Sequence, residues 1–273
     1  MKIFGICLTK NEEDIVEEVL KKASGWCDYI FVFDTGSTDN TWEKILELSK
    51  TFKSIIPYKK ETRAYRDDLR YEVFNFYRHL SKDGDWWCKL DSDEVYIDNP
   101  KEFLKRISRF HHVVWNLSVQ FYFTEVDLME YETDPDKYLS SDTEEKLKYY
   151  LCNHSEARFF KYRKRLSWIT GSYPLHVGIV SPNRIRLKHF QYRSPEQIQV
   201  RLNTRQEAVK QGHNIFAAYE SEKNWRDKVA DSKKYNIYNS PEEIILEQNL
   251  PRHIEKFPIR LAKYILHSLK IYP

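Results

Sequence analysis

The fold of this chain is decided by residues 86–94, WWCKLDSDE, a short and mostly apolar run that ends in three carboxylates. An apolar run without polar alternation is typical of a strand covered on both faces, as in a parallel sheet with helices on each side. Ligands of such sheets lie beyond the carboxyl ends of the strands. Two aspartates one residue apart in that position can share a divalent cation and leave its other positions to phosphate oxygens.

The spacing of the two aspartates is weak evidence by itself. Asp-x-Asp also occurs at 83–85 and at 134–136, before a strand and in a polar stretch with a proline. Only Asp91 and Asp93 follow an apolar strand. Without the upstream sequence, a solvated acidic turn is the better interpretation of this motif.

The upstream sequence alternates strands and helices. Apolar runs predict buried strands at 3–8 and 29–33 and a short strand at 54–57. Helical spacing predicts helices after the first two strands, the second capped by Asp39, and a third helix over 65–82. Right-handed crossovers make this order a parallel, doubly wound sheet. The polar segments 9–12, 34–39 and 91–93 should therefore meet in one crevice.

Composition excludes several classes of protein. The 273 residues fit one large domain or one and a half smaller ones, and a net charge of +3 from 44 basic and 41 acidic residues selects no nucleic-acid partner. Four cysteines without a CxxC pair predict a reduced, cytosolic chain. The first apolar run is too short for a signal or membrane helix.

The second half of the chain follows a different pattern. Strict alternation over 113–124 predicts a half-exposed, antiparallel strand. Residues 125–148 are polar and read as a long loop, either a lid over the crevice or a mobile surface loop. Hairpins are expected from 157–162 with 166–170 and from 177–180 with 184–190, followed by helices capped at Ser194 and Ser240. The last helix, over 259–270, is amphipathic and basic; it either packs on the domain or touches an anionic membrane.

Residues 1 to about 98 resemble the donor half of GT-A fold, family 2 glycosyltransferases. The matching stretches are TKNEE at 9–13, DTGSTDNT at 34–41 and LDSD at 90–93. The resemblance implies an α/β GT-A fold, with a Rossmann-like, mostly parallel central sheet, antiparallel hairpins and C-terminal helices. It divides the chain into a donor-binding half (1–98), an acceptor-binding half (99–215) and a helical extension (216–273).

The same resemblance implies roles for residues at the strand ends. Asp34 would bind the nucleoside, and Asp91 with Asp93 would hold Mn²⁺ or Mg²⁺ on the diphosphate. The family often has an Arg-Asn pair before the DxD strand, whereas this chain has Arg66 followed by two aspartates, so Arg66 is either a phosphate ligand or a surface residue. The expected donor-binding residues are Thr9, Asn11, Glu12, Asp34, Ser37, Asp39, Arg66, Asp91 and Ser92.

Two further roles depend on the second half. The segment KHFQYRS at 188–194 resembles the one in which a GT-A histidine completes the metal site, so His189 is the expected third ligand; the alternatives are His176 or an ordinary core histidine. An inverting enzyme needs a carboxylate base. Glu156 is the candidate, acting with Asp93 as the catalytic pair, although a plain surface glutamate is the better interpretation of this residue, and Asp127 is the next choice.

These observations predict a metal-dependent transfer of a sugar from a nucleoside diphosphate, with UDP-sugars favoured, to a hydroxyl acceptor. The acceptor would be a surface glycan or its lipid carrier, the outcome inverting, and the location cytoplasmic with peripheral membrane contact through the last helix. One alternative is a sugar-nucleotide-forming nucleotidyltransferase, although residues 9–13 lack the glycines of a phosphate loop. The other is a non-catalytic nucleotide-binding module.

Overall fold

A computed structural model describes residues 1–175, 178–212, 221–269 and 271. These residues form ten strands: β1 Ile3–Thr9, β2 Tyr29–Asp34, β3 Ile55–Lys60, β4 Trp86–Asp91, β5 Glu94–Tyr96, β6 Val113–Phe121, β7 Tyr149–His154, β8 Ala157–Lys161, β9 Ile185–His189 and β10 Asn236–Ile237. They also form nine α-helices: α1 Val16–Ser24, α2 Thr41–Thr51, α3 Arg70–Tyr77, α4 Pro100–Arg106, α5 Glu125–Thr133, α6 Pro135–Ser140, α7 Thr143–Lys146, α8 Pro195–Lys210 and α9 Phe257–Ser268.

The first half of the chain is a parallel sheet in the order β3-β2-β1-β4. Helices α1 and α2 cover one face, where Cys7 and Val32 belong to a buried core with Val16 and Ile45. Helix α3 covers the other face, where Phe31 and its neighbours from β1 and β4 pack in a second core. Both faces are buried, as the apolar runs predicted. The α/β fold with a largely parallel central sheet is therefore confirmed.

The second half of the sheet continues from β4 in the order β4-β8-β6-β7-β10, and each neighbouring pair in this order is antiparallel. Strand β9 pairs parallel with β6 and antiparallel with β5. Strand β6 thus has three partner strands and lies inside the fold, which makes the predicted half-exposed strand wrong. Its polar residues Asn116, Ser118 and Gln120 are buried. Their burial is tolerated because they form hydrogen bonds inside the fold. For example, the Glu156 N–H donates to Asn116 Oδ1 at 2.8 Å.

Residues 125–148 are not the predicted long loop, since they contain α5, α6 and α7. Each of these helices is short and begins at a polar cap. Thr124 and Asp127 form a capping box at α5, and the side chains of Asp134 and Asp142 accept backbone N–H groups at α6 and α7. Short helices fixed by caps leave little apolar periodicity, which explains the wrong prediction.

Several other predicted boundaries differ from the structure. Residues 166–170 form no strand with β8; Ser167 makes one isolated bridge to Leu175. Residues 178–180 do not pair with β9 either, while Val177 lies outside the described residues. The predicted helix over 65–82 shortens to α3 flanked by two 3-10 turns, and α2 begins after Asn40 rather than Asp39. At α8 the Ser194 cap is confirmed, because its side chain accepts the Gln197 N–H.

The C-terminal segment contains 3-10 turns, β10 and α9. Helix α9 contacts the domain through Tyr264, whose ring packs on Phe110, and through His267, which stacks on His112. Phe257, Leu261, Ile265 and Leu269 recur every four residues and are exposed. Within the described part of the chain, no helix is long and apolar enough to cross a bilayer. The division at 98 and 215 stays a prediction.

Candidate active site at the carboxyl edge of the sheet

The loops after β1 and β2 are tied together by hydrogen bonds. The Asn11 N–H donates to Ser37 Oγ at 2.9 Å, and Asn11 Oδ1 accepts the Thr38 N–H at 2.8 Å. The Glu12 N–H donates to Thr41 Oγ1 at 2.8 Å. Asn11 has a positive φ of 55°, a conformation that asparagine tolerates better than most residues. The predicted meeting of these two strand ends is therefore present.

Asp34 is fully buried at the end of β2. Its Oδ1 accepts the N–H groups of Gly36 and Ser37 at 2.8 and 2.6 Å. Gly36 is required there: its φ is +96°, and an added Cβ would lie 2.7 Å from the Thr62 Cα. Among the described residues, Asp34 Oδ2 and the neighbouring Thr9 Oγ1 have no hydrogen-bond partner. Two buried oxygens without a protein partner can accept hydrogen bonds from bound water or from a ligand.

Two other predicted donor-binding residues have structural partners. Asp39 accepts the Glu13 N–H through Oδ2 at 3.2 Å and the Thr41 N–H through Oδ1 at 3.0 Å, so it fastens the two loops. Arg66 is part-exposed and pairs with both oxygens of Asp68 at 3.0 and 3.1 Å. The side-chain bonds described for Arg66 thus go to the acid two residues away.

Asp91 and Asp93 belong to different charged clusters. Asp91 lies beside Leu8 in the sheet, and Asp34 lies beside Thr9. Because successive side chains of a strand point to opposite faces, Asp91 points to the face covered by α3 and Asp34 to the face covered by α1 and α2. Both leave the same edge of the sheet, about 10 Å apart across two strand spacings. Asp93 follows in the turn between β4 and β5.

The Asp91 cluster is a network in which every cation contacts at least two carboxylates. Arg70 pairs with Asp67 and with Asp91 Oδ1, and Arg158 donates to Asp91 Oδ2 at 2.7 Å. The three cationic side chains are at most 3% exposed. The cluster consists of Asp67, Arg70, Lys89, Asp91, Glu94, Glu156 and Arg158.

Glu156, the predicted base, lies inside this cluster. Its Oε2 accepts from Lys89 Nζ at 2.9 Å, and its Oε1 lies 2.8 Å from Arg158 Nη2. Burial alone would raise the pKa of Glu156. The pKa is nevertheless held far below its usual range by Arg158, by a hydrogen bond with His154 and by Lys89. A carboxylate with so low a pKa is a weak proton acceptor. Asp127, the second choice, is buried in the capping box of α5.

The Asp93 cluster is built from the loop after β1, the turn after β4, the end of β9, and α8 with the segment before it. Asp93 Oδ2 is 2.8 Å from Arg201 Nη1 and 3.2 Å from His189 Nε2. Glu12 Oε1 is 3.1 Å from the same Arg201 nitrogen, and Glu12 Oε2 pairs with Arg193. Burial raises the pKa of Glu12 to about 7. The cluster consists of Glu12, Asp14, Asp93, His189, Arg193 and Arg201.

A cavity of about 90 Å³ opens beside the Asp93 cluster. Its floor comes from the loop after β1, from Tyr65 and from the DxD turn, and its roof comes from α8. Three cationic and two acidic side chains face it, together with small and polar groups: it is lined by Lys10, Asn11, Glu12, Tyr65, Ser92, Asp93, Arg201, Thr204, Arg205 and Ala208. The cavity therefore joins two of the three predicted strand ends.

The expected metal ligands are only partly gathered. Two ligands of an octahedral cation, each about 2.1 Å from it, lie about 3 Å apart. The 3.2 Å between Asp93 Oδ2 and His189 Nε2 fits this spacing. Asp91 could join them only by giving up an arginine contact, and the described part of the chain has no group of three His, Cys, Asp or Glu side chains placed to hold a metal. His176 lies outside the described residues.

Sequence reasoning did not find the residues of α8 that roof the cavity. Arg201 and Arg205 are one helical turn apart and share a face, which was the available signal. This signal does not identify the site, because nothing in the sequence shows that α8 packs over the carboxyl ends of β1 and β4. Lys10 and Tyr65 were missed as well, although Lys10 lies within a matched motif.

No protein-family model matches the chain, and no curated protein matches it. Solved structures that are similar include S. aureus TarS in complex with UDP-GlcNAc, at 12% identity over 76% of this chain and 65% of that one, with a TM-score of 0.39. A mannosyltransferase from Pyrobaculum calidifontis, in complex with GDP-Man and Mn²⁺, has 12% identity over 77% and 64%, with a TM-score of 0.39.

A third similar structure is glucosyl-3-phosphoglycerate synthase from Mycobacterium tuberculosis, in complex with Mn²⁺, UDP and glucosyl-3-phosphoglycerate. It has 17% identity over 60% of this chain and 58% of that one, with a TM-score of 0.31. This chain spans less than two thirds of the length of each of the three. At such identities and TM-scores they establish neither donor, metal nor acceptor for it.

Proposed function

We propose that this protein transfers a sugar from a nucleoside-diphosphate sugar to a hydroxyl acceptor. One observation carries the proposal: the loops after β1 and β4 enclose a cavity that holds Asp93, Glu12 and three cationic side chains, beside a buried Asp34 with an unused oxygen. Such a site offers cations for a diphosphate and an ionised acceptor for a nucleoside hydroxyl or base N–H. UDP is the favoured nucleotide, as the sequence resemblance implies.

The chain's own residues divide the work of binding. Asp34 and Thr9 would bind the nucleoside, and Asn11, Ser37 and Asp39 would hold the loop that presents Asp34. Lys10, Arg201 and Arg205 would face the diphosphate. Of the other predicted donor-binding residues, Ser92 and Glu12 line the cavity, whereas Asp91 and Arg66 lie outside its lining.

A divalent cation, Mn²⁺ or Mg²⁺, is part of this proposal. Asp93 and His189 would hold it, with Asp91 as the third ligand once an arginine contact is exchanged. When bound, the cation would offset the charge that develops on the departing nucleoside diphosphate. An imidazole ligand favours Mn²⁺ over Mg²⁺.

The acceptor hydroxyl would attack the anomeric carbon as the bond to the β-phosphate oxygen breaks. An inverting reaction requires a base that takes the hydroxyl proton. Glu156 could do so only after release from Lys89 and Arg158, since those contacts hold its pKa so low. This constraint is the specific observation that favours the second candidate function, a nucleotide-binding module without transfer.

Nucleotide-sugar hydrolysis with Mn²⁺ tests the first candidate against the second. We expect turnover of at least one UDP-sugar by the wild type and a loss of about 100-fold in Asp93→Asn. The matched control is Asp136→Asn, which changes an exposed aspartate of another Asp-x-Asp. Equal turnover in wild type and Asp93→Asn would refute the role of Asp93. Calorimetric UDP binding without hydrolysis or transfer to any acceptor would favour the binding module.

We also propose a cytoplasmic location, with a surface glycan or its lipid carrier as acceptor and peripheral membrane contact through α9. All four cysteines are unpaired and buried, which suits a reducing compartment. The exposed apolar stripe of α9 lies on a helix that also carries Arg260 and Lys263. Sedimentation with anionic vesicles should fall for Leu261→Glu but not for Leu139→Glu, a similarly exposed leucine on α6. Equal sedimentation of both variants would contradict the contact.

A further inference from the structure

Arg201 reaches from α8 into the Asp93 cluster and stands between two carboxylates. Its Nη1 lies 2.8 Å from Asp93 Oδ2 and 3.1 Å from Glu12 Oε1. The two acids come from different loops, one after β1 and one after β4. A single guanidinium nitrogen therefore bridges both acids at the cavity and shares one positive charge between them.

This position conflicts with a bound cation. The Asp93 oxygen that accepts from Arg201 is also the one 3.2 Å from His189 Nε2. A cation held by Asp93 and His189 would share that oxygen with the guanidinium. Two positive charges in contact with one carboxylate oxygen repel each other, so the cation and Arg201 cannot both keep these positions.

Arg201 also has donor capacity that its present contacts do not use. Both contacts with Asp93 and Glu12 are made by Nη1, and its Nε is buried without a partner among the described residues. Arg193 in the same cluster is different, because Nε, Nη1 and Nη2 all donate to protein oxygens. Arg193 is thus fixed in place, whereas Arg201 retains a donor for a ligand.

The cavity in its present form is too small for a nucleotide sugar. Its volume is about 90 Å³, whereas ligand pockets usually measure about 300–1,000 Å³. Arg201, Thr204, Arg205 and Ala208 form the side contributed by α8. Enlarging the cavity on that side moves the residue that neutralises Asp93 and Glu12. A planar guanidinium can then present paired donors to a diphosphate.

We propose that Arg201 is a displaceable internal cation of this site. In the ligand-free protein it neutralises Asp93 and Glu12, and when a nucleoside diphosphate binds with a divalent cation it moves from these acids to the diphosphate. This inference rests on the proposed function, because it assigns a role within the same donor site. It predicts opposite effects of one substitution on two ligands: without Arg201 the metal alone binds more tightly and the nucleotide more weakly.

The test compares Mn²⁺ binding, followed by electron paramagnetic resonance, with UDP binding at saturating Mn²⁺, followed by calorimetry. Arg201→Met should bind Mn²⁺ alone about tenfold more tightly than the wild type, and UDP about tenfold more weakly. Arg201→Lys keeps a charge and should retain an Mn²⁺ affinity close to that of the wild type. The control Arg205→Met removes a neighbouring charge whose side chain donates to Tyr192 Oη at 3.1 Å, and it should change Mn²⁺ affinity much less. Should Arg201→Met fail to fold, Arg201→Gln repeats the comparison.

The outcomes separate this inference from the proposed function. Unchanged or weaker Mn²⁺ binding in Arg201→Met, with UDP and Mn²⁺ still bound by the wild type, overturns the role of Arg201 alone. An equal gain in Arg205→Met also overturns it, because general charge removal would then explain the effect. If no variant binds Mn²⁺ while UDP still binds, the metal site and this inference both fail. If UDP does not bind at all, the proposed donor site itself is wrong.

Discussion

The two aspartates of one Asp-x-Asp motif serve regions with different properties. In the Asp91 cluster every cation is almost fully buried and bridges carboxylates, and none of its members lines the cavity. In the Asp93 cluster Arg201 is 18% exposed, lines the cavity and retains an unpartnered nitrogen. The difference teaches that the two aspartates of one motif can be divided between a buried charge network and the lining of a cavity.

The largest expected difference between the clusters is in stability. Arg158→Met removes the cation described for Glu94 and one of the two cations described for Asp91 and for Glu156. Removing one member of a buried ion pair costs about 3–5 kcal/mol of stability. Arg201→Met should cost about 1 kcal/mol, because the acids it leaves border a cavity that water can enter. Urea unfolding of both variants measures the two values. Similar losses would show that the clusters do not differ in this respect.

The acid sensitivity of the Asp91 cluster gives a second test. Burial alone would raise the pKa of Asp67, but Arg70 and Lys89 hold this pKa well below its usual range. A lowered folded-state pKa stabilises the protein above the unfolded-state pKa, near 4, and this contribution is lost as pH falls toward the folded-state value. Asp67→Asn should therefore cost about 1–2 kcal/mol at pH 7 and progressively less below pH 4. A cost that does not change with pH would contradict the electrostatic explanation.

A histidine outside both clusters should dominate at milder acidity. Burial, with help from Arg163, His267, Lys161 and His111, lowers the pKa of His112 to about 2, and its Nδ1 accepts the Ile179 N–H at 3.2 Å. The unfolded chain binds a proton near pH 6.5 and the folded chain does not, so stability falls as pH drops below that value.

The variant that tests this is His112→Asn, which keeps a possible acceptor and removes the titration. Between pH 6.5 and 5 the wild type should lose up to about 2 kcal/mol more than the variant. Thermal unfolding across this range measures the difference. Parallel pH profiles for the two proteins would place the acid sensitivity in the charged clusters instead.

The smallest effect is expected at Arg66. Its side chain is 40% exposed, pairs with Asp68 and does not line the cavity. Arg66→Ala should change stability by less than about 0.5 kcal/mol and UDP affinity by less than about twofold. A clear loss of UDP affinity by calorimetry would restore Arg66 as a phosphate ligand and extend the site beyond the Asp93 cluster.

The first half of the fold could be predicted because its signals are local. Buried parallel strands such as β1 and β4 read as apolar runs, and their polar ends must lie on one edge. In the second half, β6 carries polar residues at alternate positions that are nevertheless buried. Its alternating pattern therefore predicted a solvent-exposed face that does not exist. Asn116 shows why, since its partner is the backbone of Glu156, 40 residues away.

The candidate site was predictable only in part for the same reason. Motif positions placed Asp34, Asp93 and His189 near one edge, and Asp93 does lie next to His189. Which cation neutralises which acid depends on three-dimensional packing. The spacing of residues in the sequence predicts neither the pairing of Asp91 with Arg70 and Arg158 nor the contact of Arg201 with Asp93.

The roof that α8 provides has a consequence for how the molecule is made. The contacts of Arg201 with Glu12 and Asp93 span 189 and 108 positions, and that of Arg193 with Glu12 spans 181. On a ribosome the parallel half emerges and can begin to fold long before these arginines are synthesised. The nascent protein thus exposes unneutralised Glu12 and Asp93, and its site closes only when translation has passed Arg201.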